Sequence, residues 1–99
     1  MSKEEPESAE ITVEYGPVLR EAAGIAEEKI KVAELDLDNL VSEICRRHPG
    51  KLSSWLLDRE TRRLSHYILV VVNGRATRDP NPILQSDDRV LLTPIIVGG

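Results

Sequence analysis

One segment of this sequence reads as a long helix while its surroundings read as strands and turns, and that contrast limits the chain to a few folds. Leu37, Leu40, Val41, Ile44 and Cys45 fall on one helical stripe, with Asp38, Asn39, Ser42, Glu43 and Arg46 facing away. Asp36 precedes them with a side-chain oxygen able to accept a bond from an unpaired first-turn amide. Arg46-Arg47-His48 puts positive charge near the negative end of the helix dipole, and Pro49-Gly50 stops the helix. Elsewhere the period is two. Ile11, Val13 and Tyr15 alternate with Thr12 and Glu14 until Gly16-Pro17, and Ile30 and Val32 alternate with Lys29 and Lys31 within a strand expected over Glu28 to Ala33. Tyr67 to Val72 is a continuous apolar strand closed by Asn73-Gly74, a pair suited to the positive-φ positions of a hairpin turn. Asp87-Asp88 turns the chain into a last strand, Arg89 to Thr93. Val18 to Gly24 is expected as a structured loop or single helical turn, Leu52 to Leu57 as one or two turns, and Asp58 to Arg63 as polar connecting chain.

The order is strand, strand, helix, strand, short return strand, loop, strand. Each element has one apolar side to bury, so a mixed sheet with one main helix packed on one face is the economical solution, an α+β domain of the β-grasp, ubiquitin-like arrangement. At 99 residues and 40% hydrophobic content the chain supports one core. Phe is absent and aromatics make up 3%, so Val, Leu and Ile must fill it. Residues 1–10 combine like charge, Pro and Ser, and are expected as a disordered acidic extension ahead of the domain at 11–99.

A net charge of −4 argues against nucleic-acid binding, which needs concentrated positive charge. Arg46-Arg47 and Arg59, Arg62 and Arg63 are expected as solvated positions. No apolar run approaches a membrane span, and the single cysteine fits a reducing compartment, so a soluble cytoplasmic protein is expected. Cys45 is expected as a small core residue and Trp55 as packing over the core. His48 and His66 lack cysteine or carboxylate neighbours at ligand spacing, so no metal site is expected.

The sequence closes on Gly98-Gly99, straight after the apolar run from Val90 to Val97. Two residues without Cβ can slide, extended, into a channel too narrow for side chains. An α-carboxyl ionises near pH ~3.5, so at neutral pH it can attack the α-phosphate of ATP once an enzyme positions both. Upstream, Tyr67, Leu69 and Val71 point to the sheet face opposite Ile68, Val70 and Val72, and one helix covers one face only. Tyr67, Leu69, Val71, Leu92, Ile95 and Ile96 are therefore expected to meet partners, with Val97 and Gly98 inserting and Gly99 reacting.

The segments Tyr15-Gly16-Pro17-Val18-Leu19-Arg20-Glu21-Ala22-Ala23-Gly24, Val71-Val72-Asn73-Gly74-Arg75 and Asp87 to Gly99 together resemble the MoaD/ThiS family of sulfur-carrier proteins, in order and at compatible spacing. The Leu19-Arg20-Glu21 to Gly24 loop is similar to that of the molybdopterin synthase small subunit and its archaeal relatives. Thr93 and Ile95 depart from the family, which often has bulkier residues or proline there, and the acidic extension is additional. The resemblance implies that an E1-like adenylating enzyme uses ATP to activate Gly99 and that a sulfur donor then displaces AMP to leave a thiocarboxylate. The large subunit of molybdopterin synthase would receive the tail. On this account the chain is not itself an enzyme and holds no cofactor. Two other outcomes use the same terminus: isopeptide formation with a target lysine, as in a ubiquitin-like modifier, or sulfur supply to thiamine synthesis or tRNA thiolation. A non-covalent β-grasp adaptor is a third reading.

Overall fold

The computed structural model describes residues 9–95. Five strands form one mixed sheet: β1 (Ala9–Tyr15), β2 (Glu27–Val32), β3 (Ile68–Val72), β4 (Arg75–Ala76) and β5 (Arg89–Pro94). Three helices accompany them: α1 (Pro17–Ala23), α2 (Leu37–Arg47) and α3 (Lys51–Leu56). The spatial strand order is β2-β1-β5-β3-β4, and β1 pairs with β5 in parallel while the other pairs are antiparallel. This is the expected β-grasp.

Alternation along each strand builds the core. Ile11, Val13 and Tyr15 of β1, Ile30 and Val32 of β2, Ile68 and Val70 of β3, and Val90 and Leu92 of β5 all point to the face that receives the helices. Leu37, Leu40, Val41 and Ile44 of α2 meet them from above, joined by Leu52 and Leu56 of α3, Leu19 of α1 and Leu84 from the last loop. At about 25 cal/mol per Å² of apolar surface removed from water, this aliphatic cluster is the main favourable term, with Tyr15 as its one aromatic member.

The start of α2 is closed by its own sequence and by a distant loop. Asp36 Oδ1 accepts from the Asn39 amide at 2.8 Å, and Asn81 Oδ1 accepts from the Asp38 amide at 2.8 Å. The Leu37 amide donates to the Pro82 carbonyl at 3.1 Å. Three amides that a helix start leaves without intrahelical partners are thus satisfied. The Asn39 backbone bond, countering a small desolvation effect, holds the Asp36 carboxyl below its usual value.

Several boundaries move relative to the sequence expectation. β1 begins at Ala9, because Ala9 and Glu10 pair with Val32 and Lys31, so the strand takes two residues assigned above to the extension. Of the two expectations for Val18 to Gly24, a structured loop or a single helical turn, the helical one holds and is longer: Pro17–Ala23 form α1, Pro17 fits a helix start, and Gly24 ends it at φ 77°. Asn73 and Gly74 adopt φ of 52° and 85°, as the hairpin turn requires. Cys45 is half-buried at the margin of the core, and Trp55 is 46% exposed rather than packed over it, because Leu52 and Leu56 carry the buried side of α3.

Two stability outcomes follow. Asp36→Ala should cost about 1 kcal/mol in urea denaturation, the usual worth of an N-cap. Asp36→Asn keeps the acceptor but not the charge. Because the folded carboxyl value is depressed, the wild-type advantage over Asn is present above the unfolded value near ~4 and fades as pH falls through the folded one. Gly16→Ala is the second case: a Cβ there would collide with Thr93 Oγ1 and lie 2.7 Å from Thr93 Cβ. Overpacking of this kind costs about 1–3 kcal/mol, and pairing it with Thr93→Gly should restore much of the loss in thermal unfolding.

Candidate functional site

The sheet face away from the helices is divided along its width. Its apolar part consists of Leu69 and Val71 on β3 and Leu91 on β5, with Thr93 beside them, Tyr67 just before β3 and Ile95 just after β5. Register fixes the grouping, since Leu69 lies opposite Thr93 and Val71 opposite Leu91. The other part is charged. Arg89 forms ion pairs with Glu14 and, at 3.3 Å, with Glu27, and these bonds to carboxylates hold the guanidinium value above its usual range. Lys29 and Lys31 continue this part along β2, the strand at one edge of the sheet.

Beneath the inner end of β1 lies a half-buried polar cluster. The Tyr15 hydroxyl donates to Glu28 Oε2 at 2.6 Å, and His48 Nε2 lies 2.7 Å from the same oxygen. A carboxylate only accepts, so His48 donates through Nε2. Burial, and then the bond to Glu28, push the Tyr15 phenol far above its ordinary value, so it remains a neutral donor. The cluster ties the end of α2 to β2. His48 therefore does have a carboxylate partner, but one 20 residues away that sequence spacing does not reveal.

Of the residues singled out from the sequence, Tyr67 and Ile95 are exposed, and Leu69 and Val71 are half-buried on the outer face. Leu92 is a correction: it is fully buried in the core, because its parity matches Val90, and its neighbours Leu91 and Thr93 face outward instead. Ile96, Val97, Gly98 and Gly99 lie outside the described residues, as does the extension before Ala9. Reasoning from sequence missed Leu91 and Trp55. The parallel register of Glu14 opposite Leu91 decides which face Leu91 takes, and that pairing joins residues at opposite ends of the chain. His66 is exposed and packs its ring against Tyr67 at a centroid distance of 4.2 Å. Among the described residues no group of three or more His, Cys, Asp or Glu is placed to hold a metal ion, and no helix is long and apolar enough to cross a membrane.

At the end of β5 the outer face meets a groove of about 800 Å³ between β3, β5 and the start of α3, walled by Trp55, Tyr67 and Ile95 and floored by Ile68 and Pro94. The strand that leads to the C-terminal segment thus leaves the sheet between an apolar surface and an apolar groove.

No protein-family model and no curated protein sequence matches the chain. Solved structures do. The small archaeal modifier protein 1 of Methanosarcina acetivorans superposes with a TM-score of 0.77 at 24% identity, over 95% of this chain and all 100% of that one. The Pyrococcus furiosus protein assigned as molybdopterin converting factor subunit 1 gives 0.70 at 26% identity, over 90% of this chain and 100% of that one. A chain of the BexX/CysO complex of Amycolatopsis orientalis gives 0.67 at 22% identity, over 90% and 99%. Coverage is nearly complete on both sides in every case, so the likeness extends over the whole domain and not a shared fragment. The chain is a ubiquitin-like β-grasp protein, and its strong structural neighbours are ubiquitin-fold proteins of the MoaD/ThiS type.

Proposed function

We propose that the chain is a sulfur carrier whose C-terminal Gly99 is adenylated and converted to a thiocarboxylate, and that it serves as the small subunit of molybdopterin synthase in molybdenum or tungsten cofactor synthesis. The observation that carries the reading is the combination of the Gly98-Gly99 ending with a β-grasp like that of the Pyrococcus furiosus converting factor subunit. A carboxylate oxygen of Gly99 attacks the α-phosphate of ATP in an E1-like adenylating enzyme, and pyrophosphate leaves. Hydrosulfide, the simplest sulfur donor, then attacks the acyl carbon, AMP departs with the electrons of the C–O bond, and loss of the S–H proton leaves the thiocarboxylate. Activation is needed because carboxylate oxygen is a poor leaving group whereas AMP leaves readily. The chain supplies the terminal nucleophile, and its partners supply acids and bases. No cofactor resides in the chain, and ATP is consumed on the activating enzyme.

The apolar part of the outer face, Leu69, Val71, Leu91, Tyr67 and Ile95, is the surface that supports docking of the adenylating enzyme and of the large subunit. The likeness to small archaeal modifier protein 1 favours a second reading, in which a lysine amine attacks the adenylate and an isopeptide bond forms. Sulfur supply to another pathway, such as thiamine synthesis or tRNA thiolation, uses the same activated glycine.

Deleting Gly99 withdraws the terminus by about 3.3–3.6 Å, and reacting atoms must approach to within roughly 3.5 Å. The shortened chain should fold normally yet give no ATP–pyrophosphate exchange with its adenylating enzyme; exchange at the wild-type rate would refute the reading. For the intact chain, mass spectrometry after sulfur loading should show one terminal oxygen replaced by sulfur, whereas ATP-dependent conjugates on a gel, without that replacement, would favour the modifier.

Leu91→Lys tests the docking face. The lysine stem can lie along the sheet with its ammonium in water, so the fold should persist while binding to the adenylating enzyme, read by calorimetry, is lost. Leu92→Ala should behave oppositely, costing about 2–5 kcal/mol of stability through a core cavity while the folded fraction still binds.

A further inference from the structure

Three of the six large hydrophobic side chains exposed among the described residues wall the groove at the end of β5: Trp55 at 46%, Tyr67 at 64% and Ile95 at 44%, above a floor of Ile68 and Pro94. Apolar surface gathered around one concavity is a place where an apolar side chain gains burial. The groove does not end in neutral surface. Lys51 stands on its α3 wall, and across Pro49 and Ser54 it adjoins a polar hollow of about 310 Å³ lined by Arg59 and Arg62. We propose that groove and hollow together form a docking site for an acidic segment of a partner protein, with an apolar side chain seated among Trp55, Tyr67 and Ile95 and neighbouring carboxylates set against Lys51, Arg59 and Arg62.

Charge identifies the occupant. Arg46 and Arg47 are matched by Glu43, Arg63 by Asp38, and Arg89 by Glu14 and Glu27. Lys51, Arg59 and Arg62 make no ion pair with any of the described residues. Asp58 also lines the hollow, but its Oδ1 accepts from the Glu60 and Thr61 amides at 2.8 and 3.0 Å, so that carboxylate is engaged by its own turn. In a chain of net charge −4, a positive stretch beside an apolar groove selects a partner that carries both negative charge and an apolar anchor. A symmetric dimer through this patch would bring the positive stretch against itself, so like charges oppose a second copy. Two concavities joined across the start of α3 suit an extended chain that fills them in succession better than a compact ligand. The apolar contact supplies the main gain, while each exposed ion pair adds little and sets direction and partner choice.

This site uses none of the terminal chemistry of the carrier reading, since every residue that forms it lies between Pro49 and Ile95.

Trp55 is the only tryptophan in the chain, so its fluorescence reads the groove directly. The probe is a synthetic peptide with a leucine pair flanked on both sides by glutamates, added to the full-length protein. It should shift the Trp55 emission to the blue and lower its quenching by acrylamide, saturably, with an affinity that falls as salt is raised. The same peptide with lysines for the glutamates, or with serines for the leucines, should produce neither change. Joint Arg59→Glu and Arg62→Glu substitution should weaken binding of the glutamate peptide on the order of tenfold. Both arginines are exposed, and an unchanged far-ultraviolet circular dichroism spectrum checks that the variant is folded. No saturable response to the glutamate peptide, equal binding of the lysine peptide, or undiminished binding by the doubly substituted protein would each overturn the proposal. Protection of Trp55 that grows with protein concentration in the absence of peptide would overturn it in favour of a second copy. Saturable quenching by AMP in place of the peptide response would overturn it in favour of a nucleotide. Pyrophosphate exchange is read separately: exchange without peptide binding sinks the docking site alone, and peptide binding without exchange sinks the carrier reading alone.

Discussion

The pairing of β1 with β5 is the contact on which the rest of the molecule depends. It joins the first and last strands of the domain side by side at the centre of the sheet, in parallel, with Val13 opposite Val90 and Tyr15 opposite Leu92. Parallel neighbours cannot be linked by a tight turn, so the chain between them must cross over, and here the crossover carries α1, β2, α2, α3, β3 and β4. The strand leading to the C-terminal segment is therefore buried on both flanks, between β1 and β3.

At the end of that pairing the two strands approach unusually closely. The Gly16 amide donates to the Leu92 carbonyl at 2.9 Å, and Thr93 lies against the space a Cβ of residue 16 would need. Gly16 has an ordinary φ of −64°, so glycine is required there by contact and not by backbone conformation. The sequence shows Gly16-Pro17 only as the end of a strand. That the same glycine also admits Thr93 depends on a partner 77 positions away and is invisible until β1 and β5 are paired.

Local signals were legible wherever one element determines its own form. The apolar stripe of α2, its Asp36 cap, the Asn73-Gly74 turn and the alternation of β1 all survive in the structure because each depends on neighbours a few residues distant. The failures share the opposite property. Leu92 was assigned outward because the parity of β5 is set by its pairing with β1 and β3, and the apolar run Val90-Leu91-Leu92 carries no alternation of its own. Trp55 is expected over the core, although Leu52 and Leu56 already use the buried side of a six-residue helix. The groove at the end of β5 was not legible: it is made by residues from α3, β3 and β5 whose convergence only the fold creates.

The division of the outer face gives the last step. An edge strand with unpaired backbone groups invites sheet-to-sheet association, and lysines along it discourage that. β2 is such an edge and bears Lys29 and Lys31 on its outer face, while Arg89, Glu14 and Glu27 extend the charged zone inward to β5. The apolar zone begins at Leu91, Leu69 and Val71 and ends beside the root of the C-terminal segment. Charge thus guards the edge where association would be indiscriminate, and apolar surface is confined to the side from which the tail departs. On the proposed reading this arrangement makes docking and delivery one event, because a partner that covers the apolar zone already stands over the end of β5.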